Sequence, residues 1–475
     1  MILSRPSVEK VGGTSMAATK ALLDNVLLAG RTEGDLYNRV FVVSAYSGVT
    51  DLLLEHKKSG QAGVWRRFND ADPAWRDGFD GVREAMRNRN AQVLTGADKA
   101  EADRFVDRRL AALEGPLGDL DRLRLLGCFD TKDQLLAARE MLAGLGEAHS
   151  AHNTVLLLRR RGVNARLVDL TVWDAVHPPP LDERLEAAIA QFDLTKELPI
   201  VTGYVACQGG MLRRFGRGYT EMTFSRLAVL ANAREAVIHK EFHLSSADPR
   251  IVGVERARKI GRTSFEVADQ LANIGMEAIH PGAGRGLRTA GIGLYVRNTF
   301  DRDDEGTLIC AEEAPTTPKV EIVSGVRELQ ALEFFDQDMV GERGYDAGIL
   351  QALSRHETWI VSKSSNANTI THYLAADVQT VGRVVDDLRL QHPTARIGIK
   401  PIAMVAVMGR SLPETSLISR AVDALRLSDI KIAAMQHQIQ NVDLQIFIAR
   451  KDFDRAVRAL HAVFIEDELE SRRAA

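Results

Sequence analysis

The sequence predicts an α/β domain with a largely parallel sheet, followed by two small ferredoxin-like α+β domains. Up to about residue 312, short apolar runs alternate with stretches of helical periodicity, such as 222–234 and 264–275. The apolar runs have the lengths and β-branched content of strands buried on both faces. They are VFVVSA (40–45), ARLVDL (165–170), PIVTGYVA (199–206), AVIH (236–239) and GLYVRN (293–298). This alternation is typical of a parallel sheet with crossover helices.

Two segments interrupt or end the alternating pattern. Residues 65–125 are rich in Arg, Asp and Ala, and we interpret them as a helical insertion beside the sheet. The segment AEEAPTTPK (311–319) has the composition of a linker. The first predicted domain therefore covers residues 1–312.

The tail reads as two copies of one small unit. MVAVMG, ISRAVDALRLSD, IKIAAMQHQ, VDLQIFIAR, DFDRAVRALHA and VFI follow the order strand, helix, strand, strand, helix, strand, and we assign this domain to 397–475. A looser copy at 320–392 begins with VEIVSGV and YDAGILQALSRHE. The order is that of a ferredoxin-like βαββαβ unit. Such units expose sheet edges and faces that pair between chains, so we expect a homo-oligomer, at least a dimer.

Composition argues against several classes of protein. The formal net charge is −3, whereas a nucleic-acid-binding protein is usually clearly basic. No run approaches the roughly 18 apolar residues of a membrane span, and MILSRPSVEK is unlike a signal peptide. Cys128, Cys207 and Cys310 form no CxxC pair, and we interpret them as buried small residues in a reducing compartment. We expect a cytoplasmic protein without nucleic-acid or membrane partners.

A lysine stands at the end of the first predicted strand, in VEKVGGTSMAATK. Gly12 and Gly13 follow Lys10, and a helix-like stretch begins after them. Backbone N–H groups of a glycine-rich turn before a helix form a cradle for anions, and a lysine can bridge phosphate oxygens. The turn is not a P-loop, because the chain contains no GxxxxGK[ST] motif. A glycine turn beside a surface lysine explains the same residues, so the pattern alone leaves both interpretations open.

A second turn follows a predicted strand in VVSAYSGVTDLLL (42–54). The strand ends at Ser44 and a helix begins near Thr50, at the strand ends where open α/β sheets bind ligands. The hydroxyl groups of Ser44 and Thr50 could bind a substrate. Alternatively, Thr50 or Asp51 could cap the helix.

Two later segments carry charged side chains in loops. In RRFGRGYTEMTFSRLAVL (213–230), Arg217 lies between two glycines and could bind a carboxylate or phosphate bidentately. Thr220 and Glu221 then begin a helix, and could be cap residues only. In AVIHKEFHLSSADPRIVG (236–253), a strand runs into a loop whose Asp248 and Arg250 suit a nucleotide's ribose and phosphates.

The same segment contains a partial match to a zinc-binding motif. His239 and His243 are four residues apart with Glu241 between them, but the glutamate is one place off the HExxH pattern. The context is also strand and loop instead of helix. The sequence therefore indicates no metal ligands.

Taken in order, these segments resemble the motifs of the aspartate kinases, which have the amino-acid-kinase fold. The family's motifs are K-[FY]-G-G-T-S, SA-x-x-G-x-T-[DN], G-E on a helix, G-R-G-G-S-D, T-x-DPR and V-L-H-P. The similar segments here are 10–15, 44–51, 146–147, 216–221, 246–250 and 278–281. The tail resembles the family's paired ACT domains, which sense amino-acid end products. The resemblance covers nearly the whole chain.

The chain departs from the family pattern at several positions. Tyr219 replaces the second glycine of G-R-G-G, and Thr220-Glu221 replaces Ser-Asp. The nucleotide-side T-D-V is replaced by the residues 239–241, and Glu277 stands where a basic residue is common. The segment around 239–253 looks most like the divergent aspartate kinases associated with ectoine biosynthesis.

The resemblance implies ATP-dependent phosphorylation of the side-chain carboxylate of L-aspartate, which gives 4-phospho-L-aspartate and ADP. Mg²⁺ is expected with ATP because the triphosphate charge must be neutralised. The implied catalytic residues are Lys10 and Arg217. The implied nucleotide-binding residues are Lys10, Gly12, Gly13, Thr14, Ser15, Lys240, Asp248 and Arg250. The implied L-aspartate-binding residues are Ser44, Thr50, Glu147 (at the ammonium group), Arg217 (at the α-carboxylate), Thr220 and Glu221.

Two alternative functions stay open. The first is an acyl-phosphate kinase for another acid, such as glutamate or an N-acylated amino acid, because Thr220 and Glu221 could reshape the pocket. The second is a non-catalytic regulatory protein that senses amino acids, with Tyr219 and 239–241 marking a degraded nucleotide site. The presence of Lys10, Glu147, Arg217 and Asp248 favours a catalytic site.

Overall fold

The structure, a computed structural model, describes residues 5–57, 59–174, 176–276, 279–311, 319–412 and 414–467. The chain forms two compact units, one of Met1–His243 with Ile279–Ala311 and one of Leu244–Ala278 with Glu312–Ala475. Residues 244–278 therefore cluster with the tail. The predicted linker from 312 to 318, together with Glu277 and Ala278, lies outside the described residues.

The strands are short in the first unit and include two long ones in the second. In chain order they are β1 Ser7–Val11, β2 Arg39–Val43, β3 Ala165–Val168, β4 Leu198–Thr202, β5 Glu235–Lys240, β6 Arg262–Ser264, β7 Leu294–Asn298, β8 Thr307–Cys310, β9 Lys319–Phe335, β10 Trp359–Ser365, β11 Thr369–Ala375, β12 Arg396–Arg410, β13 Ile432–His437 and β14 Asp443–Ile448.

The helices range from single turns to one of 30 residues. They are α1 Gly13–Ala17, α2 Thr19–Ala21, α3 Val49–Leu53, α4 Val64–Asn69, α5 Trp75–Val93, α6 Gly96–Leu125, α7 Lys132–Ala143, α8 Leu145–Arg159, α9 Leu181–Ile189, α10 Met211–Phe215, α11 Tyr219–Leu230, α12 Pro249–Val252, α13 Phe265–Asn273, α14 Pro281–Thr289, α15 Tyr345–Arg355, α16 Val378–Gln391, α17 Glu414–Leu427 and α18 Phe453–His461.

The sheet of the first unit positions the candidate site. Its strands are hydrogen-bonded in the order β3–β4–β2–β1–β5–β7–β8. Neighbours are parallel from β3 to β7, and β8 runs antiparallel to β7. Every residue of β1, β2 and β4 is buried, as expected for strands covered on both faces. The prediction of a largely parallel α/β sheet is confirmed.

The predicted insertion is helical, and it is anchored through buried polar groups. Helices α5 and α6 pack against each other, and Phe79, Met86 and Val106 on these helices are buried. The carboxamide oxygen of Asn90, on α5, bonds to the ring Nε2 of His149 at 2.6 Å and accepts from the side-chain amide of Asn153 at 2.8 Å. Both partners lie on α8, so this network fixes the insertion to a helix of the α/β core.

The second unit contains one antiparallel sheet in the order β10–β11–β9–β12–β14–β13. Strands β9 and β12 each serve both ferredoxin-like halves. Residues 329–335 pair with 396–402 in one half, and 319–326 pair with 404–410 in the other. The half built from α15, β10, β11 and α16 is therefore nested within the other half. The fold class of the second unit matches the predicted pair of ferredoxin-like domains.

One predicted strand is absent. The segment VFI was expected to close the last unit, but it lies in a π-helical turn, Ala462–Glu466. The reason is topological: residues 319–326 of β9 already occupy the position beside 404–410 that the closing strand would take. The prediction of this strand was wrong.

Candidate active site

Four loops meet where the parallel strands β1, β2, β4 and β5 end. Backbone hydrogen bonds join them: Gly12 N–H to His239 O (3.3 Å), Ser44 N–H to Val11 O (3.1 Å), Ser47 N–H to Gly13 O (3.2 Å) and Gly203 N–H to Val43 O (2.9 Å). Open α/β sheets bind ligands at this edge. The structure thus brings the segments 10–15 and 44–51 together.

Lys10 forms an ion pair with Glu221 in this crevice. The Nζ atom lies 3.3 Å from Oε1, and the two side chains are only 10% and 14% exposed. The other oxygen of Glu221 accepts the backbone N–H of His280. Burial raises the pKa of Glu221, but Lys10 and Lys240 outweigh it, so the pKa is lower than usual. Two lysines thus surround one buried carboxylate.

The glycine turn after β1 joins this strand to the N-terminus of α1. The first helical hydrogen bond of α1 runs from Met16 N–H to Gly12 O (2.8 Å), so the amides of Gly13, Thr14 and Ser15 precede it. A Cβ atom on Gly13 would lie 2.9 Å from the carbonyl oxygen of Ala45, closer than real contacts allow. Glycine is therefore required where the two loops pass each other.

The hydroxyl groups near this turn differ in their surroundings. Thr14 is exposed, whereas Ser15 is buried and bonds to Thr299 (2.8 Å) and to the carbonyl of His239 (3.4 Å). Ser44 is half-buried, and its carbonyl accepts from the Ser150 hydroxyl at 2.8 Å. Ser15 therefore has a structural role in this state.

Thr50 lies in the first turn of α3 and is half-buried. The N-cap of α3 is Gly48, with a φ of 86°, and no side chain caps the helix. Capping by Thr50 or Asp51, one of the open interpretations, is therefore wrong. Asp51 instead pairs with Arg217.

Glu147 lies on α8 and reaches the same edge. The helix approaches the loop after β2 closely, since a Cβ atom on Gly146 would lie 2.6 Å from the Cβ of Ala45. Glu147 is 2% exposed, and its Oε1 accepts a hydrogen bond from the hydroxyl of Tyr219 at 2.7 Å. Within the described ranges, Oε2 has no hydrogen-bond partner. Burial raises the pKa of Glu147 to about 7, although the Tyr219 hydrogen bond opposes this.

Arg217 is held by two acidic residues near α3. Its Nη1 lies 2.5 Å from Oδ1 of Asp51, and its Nη2 contacts the carbonyl of Glu55 and lies 3.6 Å from Oε1 of that residue. Glu55 also pairs with Arg139 at 2.6 Å. The guanidinium group is 19% exposed and thus remains accessible.

Thr220 and Glu221 do not cap α11. The N-cap is Gly218, and no side-chain hydrogen bond is made there. Thr220 is buried against Gly203, at the end of β4. The capping interpretation of these two residues is therefore wrong.

Asp248 and Arg250 lie in the second unit, in contrast to the other predicted site residues. Asp248 caps α12 by accepting the N–H of Arg250 at 2.9 Å, and their side chains form an ion pair at 2.7 Å. The hydrogen bond from Arg250 lowers the pKa of Asp248. Their proposed contact with a nucleotide stays a prediction.

The remaining sequence-based expectations concern metal ligands, membrane-spanning helices and the cysteines. Across the described residues, no group of three or more His, Cys, Asp or Glu side chains could hold a metal ion. His239 bonds to Glu9 at 2.8 Å. No helix in the described ranges is both long and apolar enough to cross a membrane. Cys207 is buried as expected, Cys310 is only half-buried, and Cys128 is exposed, so the expectation of burial was wrong for Cys128.

The partners of the predicted residues lie far away in the sequence and were not predicted. Lys10 and Glu221 are 211 positions apart, Arg217 and Asp51 are 166 apart, and Tyr219 and Glu147 are 72 apart. No local pattern encodes such pairs. The departure from glycine at Tyr219 was the only signal available in the sequence.

Comparisons with known proteins identify the family. Residues 6–298 match the model of the amino acid kinase family. The chain is 43% identical over 465 residues to Aspartate kinase Ask_Ect of Stutzerimonas stutzeri, covering 97% of this chain and 98% of that protein. It is 21% identical to Aspartokinase 3, chloroplastic, of Arabidopsis thaliana, covering 97% and 82%. These matches confirm the family resemblance.

Solved structures share the fold. Aspartokinase III of E. coli, solved in complex with lysine and aspartate, superposes with a TM-score of 0.70 at 20% identity, covering 97% of this chain and 100% of that chain. The aspartate kinase of Clostridium acetobutylicum superposes with a TM-score of 0.69 at 17% identity, covering 96% and 100%.

Proposed function

The chain belongs to the amino acid kinase family and is an aspartate kinase, and on this premise we propose how its residues act. It transfers the γ-phosphoryl group of ATP to the side-chain carboxylate of L-aspartate, giving 4-phospho-L-aspartate and ADP. One observation carries the proposal: the buried Lys10–Glu221 pair and the buried Glu147 both lie at the carboxyl edge of the sheet.

The reaction makes modest demands on acid–base chemistry. An oxygen of the substrate carboxylate attacks the γ-phosphorus, and the bond between that phosphorus and the β–γ bridging oxygen breaks. The carboxylate is already ionised, so no residue has to remove a proton. Catalysis then consists of positioning and of stabilising charge on the transferred group.

On the nucleotide side, we assign Lys10 to the β- and γ-phosphates. The residues fit a phosphate group, because amides of Gly13, Thr14 and Ser15 precede the first helical bond and Gly13 leaves no room for a side chain. Gly12 is adjacent to these residues, and a Cβ atom built on it would lie 3.8 Å from the Nζ of Lys10. Thr14 is the exposed member of this turn. Phosphates could replace Glu221 as the partner of Lys10.

Three further residues are proposed to contact the nucleotide. Lys240 ends β5 and lies close enough to lower the pKa of Glu221, so it can add positive charge near the phosphates. Asp248 and Arg250 are supported by the resemblance of 246–250 to the family's T-x-DPR loop. Mg²⁺ is proposed to accompany ATP, held mainly by phosphate oxygens and water.

On the substrate side, Glu147 is proposed to bind the ammonium group of L-aspartate through its unpartnered Oε2. Arg217 is proposed to bind the α-carboxylate, which would replace Asp51 or Glu55 as its anionic partner. Their separate anchoring, on α8 and before α11, gives the substrate two fixed points of opposite charge.

The side-chain carboxylate of L-aspartate, which reacts, must also be oriented by residues between Glu147 and Arg217. Ser44 and Thr50, at the end of β2 and the start of α3, are proposed to orient it through their hydroxyl groups. Thr220 and Glu221 begin α11 next to Lys10 and are proposed to complete the pocket.

We propose that the product enters ectoine biosynthesis, which the 43% identity to Aspartate kinase Ask_Ect supports. We also propose a cytoplasmic enzyme that forms at least a dimer through the second unit. The exposed edge residue Trp359, on β10, supports a surface for pairing there. Light scattering on the purified protein tests the oligomeric state.

The experiment that tests the reaction is trapping of the acyl phosphate with hydroxylamine. The purified protein is incubated with ATP and Mg²⁺ and with L-aspartate, L-glutamate or no acid. We expect hydroxamate with L-aspartate only. Hydroxamate with another acid would keep the chemistry and overturn the substrate. No hydroxamate from folded protein that still binds an amino acid would favour a regulatory sensor.

A further inference from the structure

Tyr219 occupies a position that is glycine in the family's G-R-G-G-S-D turn, and its side chain reaches Glu147. It is the first residue of α11 and only 3% exposed. Its hydroxyl donates to Oε1 of Glu147 at 2.7 Å. A glycine could not make this bond, so the contact distinguishes this chain from proteins with the common motif.

The ring of Tyr219 is fixed from behind by Tyr204. The two rings meet edge to face with centroids 5.5 Å apart. The hydroxyl of Tyr204 donates to Oε2 of Glu140 at 2.7 Å, and Glu140 also accepts the backbone N–H groups that begin α10. The ring of Tyr219 is thus packed against an anchored tyrosine while its hydroxyl bonds to Glu147.

The hydrogen bond divides the two oxygens of Glu147 between two tasks. Oε1 is engaged by Tyr219, while Oε2 is buried and has no partner in the described part of the chain. A buried carboxylate oxygen without a donor is costly, and an ammonium group would satisfy it. The charged groups that act on Tyr219 are Glu147, Arg217 and Glu140.

We propose that Tyr219 is a positioning residue: its hydroxyl holds one oxygen of Glu147 so that the other is presented to the ammonium group of the substrate. Tyr219 thereby favours acids that carry an α-amino group over acids of the same length that lack one. The inference rests on the proposed function, because Glu147 must be the residue that binds the ammonium group. Tyr219 touches no reacting atom.

The test is Tyr219→Phe, which removes one oxygen and keeps the ring contact with Tyr204. We expect the KM for L-aspartate to rise roughly tenfold, equivalent to about 1.4 kcal/mol. The kcat and the KM for ATP stay within about twofold, since charge on the phosphoryl group is handled elsewhere. The acid limb of kcat/KM for L-aspartate moves to higher pH, because the hydrogen bond from Tyr219 lowers the pKa of Glu147 and its removal lets that pKa rise.

Succinate separates positioning from a general structural role. It has both carboxylates of aspartate and no ammonium group, so its inhibition constant against L-aspartate should be the same in wild type and Tyr219→Phe. Tyr373→Phe is the matched control, because Tyr373 is a buried tyrosine of the second unit. It should change neither the acid limb nor either affinity.

Each outcome decides between the alternatives. Equal weakening of L-aspartate and succinate, or an unchanged acid limb, would refute positioning by Tyr219. If the phenylalanine variant does not fold, 3-fluorotyrosine at position 219 tests the same contact in the opposite direction. Its more acidic hydroxyl donates more strongly, so the acid limb should move to lower pH; no movement would refute the inference. A wild-type protein inactive with L-aspartate would instead refute the proposed function.

Discussion

The buried carboxyl group of Glu147 predicts that the use of L-aspartate depends on pH near neutrality. Burial raises the pKa of this group to about 7, and only the ionised form can pair with an ammonium group. With this pKa, about nine-tenths of the free enzyme is ionised at pH 8 and about one-tenth at pH 6. We therefore expect kcat/KM for L-aspartate to fall about tenfold between pH 8 and pH 6.

The assay is steady-state formation of ADP at saturating ATP, measured from pH 5.5 to 8.5 with L-aspartate varied. The side-chain carboxyl group of the substrate, with an ordinary pKa of about 3.9, stays ionised across this range. Because kcat/KM reports the free enzyme, the limb should have its midpoint near the pKa of Glu147. The KM for ATP, measured at saturating L-aspartate, is the internal control and should show no such limb.

Glu147→Gln assigns the limb to one residue. The amide keeps the shape of the side chain and its bond to Tyr219 but carries no charge at any pH. We expect a KM for L-aspartate raised at least about tenfold at pH 8 and a profile that is flat down to pH 6. A variant that retained the wild-type limb with the same midpoint would show that another group titrates, and our reasoning about Glu147 would be wrong.

Three further predictions concern single side chains. Lys10→Met should lower kcat at least about a hundredfold in the same assay, with an unchanged far-ultraviolet circular dichroism spectrum; near-normal kcat would contradict the role of Lys10. Arg217→Lys keeps the charge but not the planar fork, so the KM for L-aspartate should rise while the KM for ATP does not; a rise in both would point to misfolding of the turn. Burial lowers the pKa of His149 to about 3, so below about pH 6.5 the unfolded chain takes up a proton that the folded chain does not, and stability should fall by about 1.4 kcal/mol for each pH unit from there toward pH 3. Urea unfolding at pH 7 and pH 5 measures this, and His149→Gln should lose less stability than wild type between the two values.

The periodicity of the sequence predicts the α/β architecture well because burial on both faces leaves a local signature. AVIH at 236–239 lies within β5, and 222–234 largely coincides with α11. Strand ends are less predictable. The run 165–170 was expected to be a strand to its end, but β3 stops at Val168, since Asp169 turns away to pair with Arg109 at 2.9 Å.

The nesting of the two ferredoxin-like halves could not be predicted from local pattern. VFI has the composition of a short strand, yet whether it pairs depends on whether an edge is free. Residues 319–326 take that edge from the other end of the tail. Which of two segments more than a hundred residues apart pairs with this edge decides whether VFI forms a strand. The local sequence of neither segment predicts that choice.

In the candidate site, the types of residue were predictable from the sequence, but the residues with which they pair were not. Its residue types are predictable because an anionic nucleotide and a zwitterionic substrate require lysine, arginine and a carboxylate. Their partners are set by topology: Lys10 pairs with Glu221, and Arg217 pairs with Asp51. These pairs neutralise charged side chains that are largely removed from water, where an unpaired charge would be costly.

The pairs also bear on how ligands enter. On the proposed assignment, phosphates and the α-carboxylate would replace the acidic side chains that pair with Lys10 and Arg217, so binding would exchange one anion for another instead of burying a bare charge. Glu147 differs, because the side chain that bonds to it is the neutral hydroxyl of Tyr219, and burial raises the pKa of its carboxyl group to about 7. If Glu147 binds the ammonium group as proposed, the substrate supplies the positive charge that stabilises its ionised form, and the pH dependence of kcat/KM for L-aspartate tests that assignment directly.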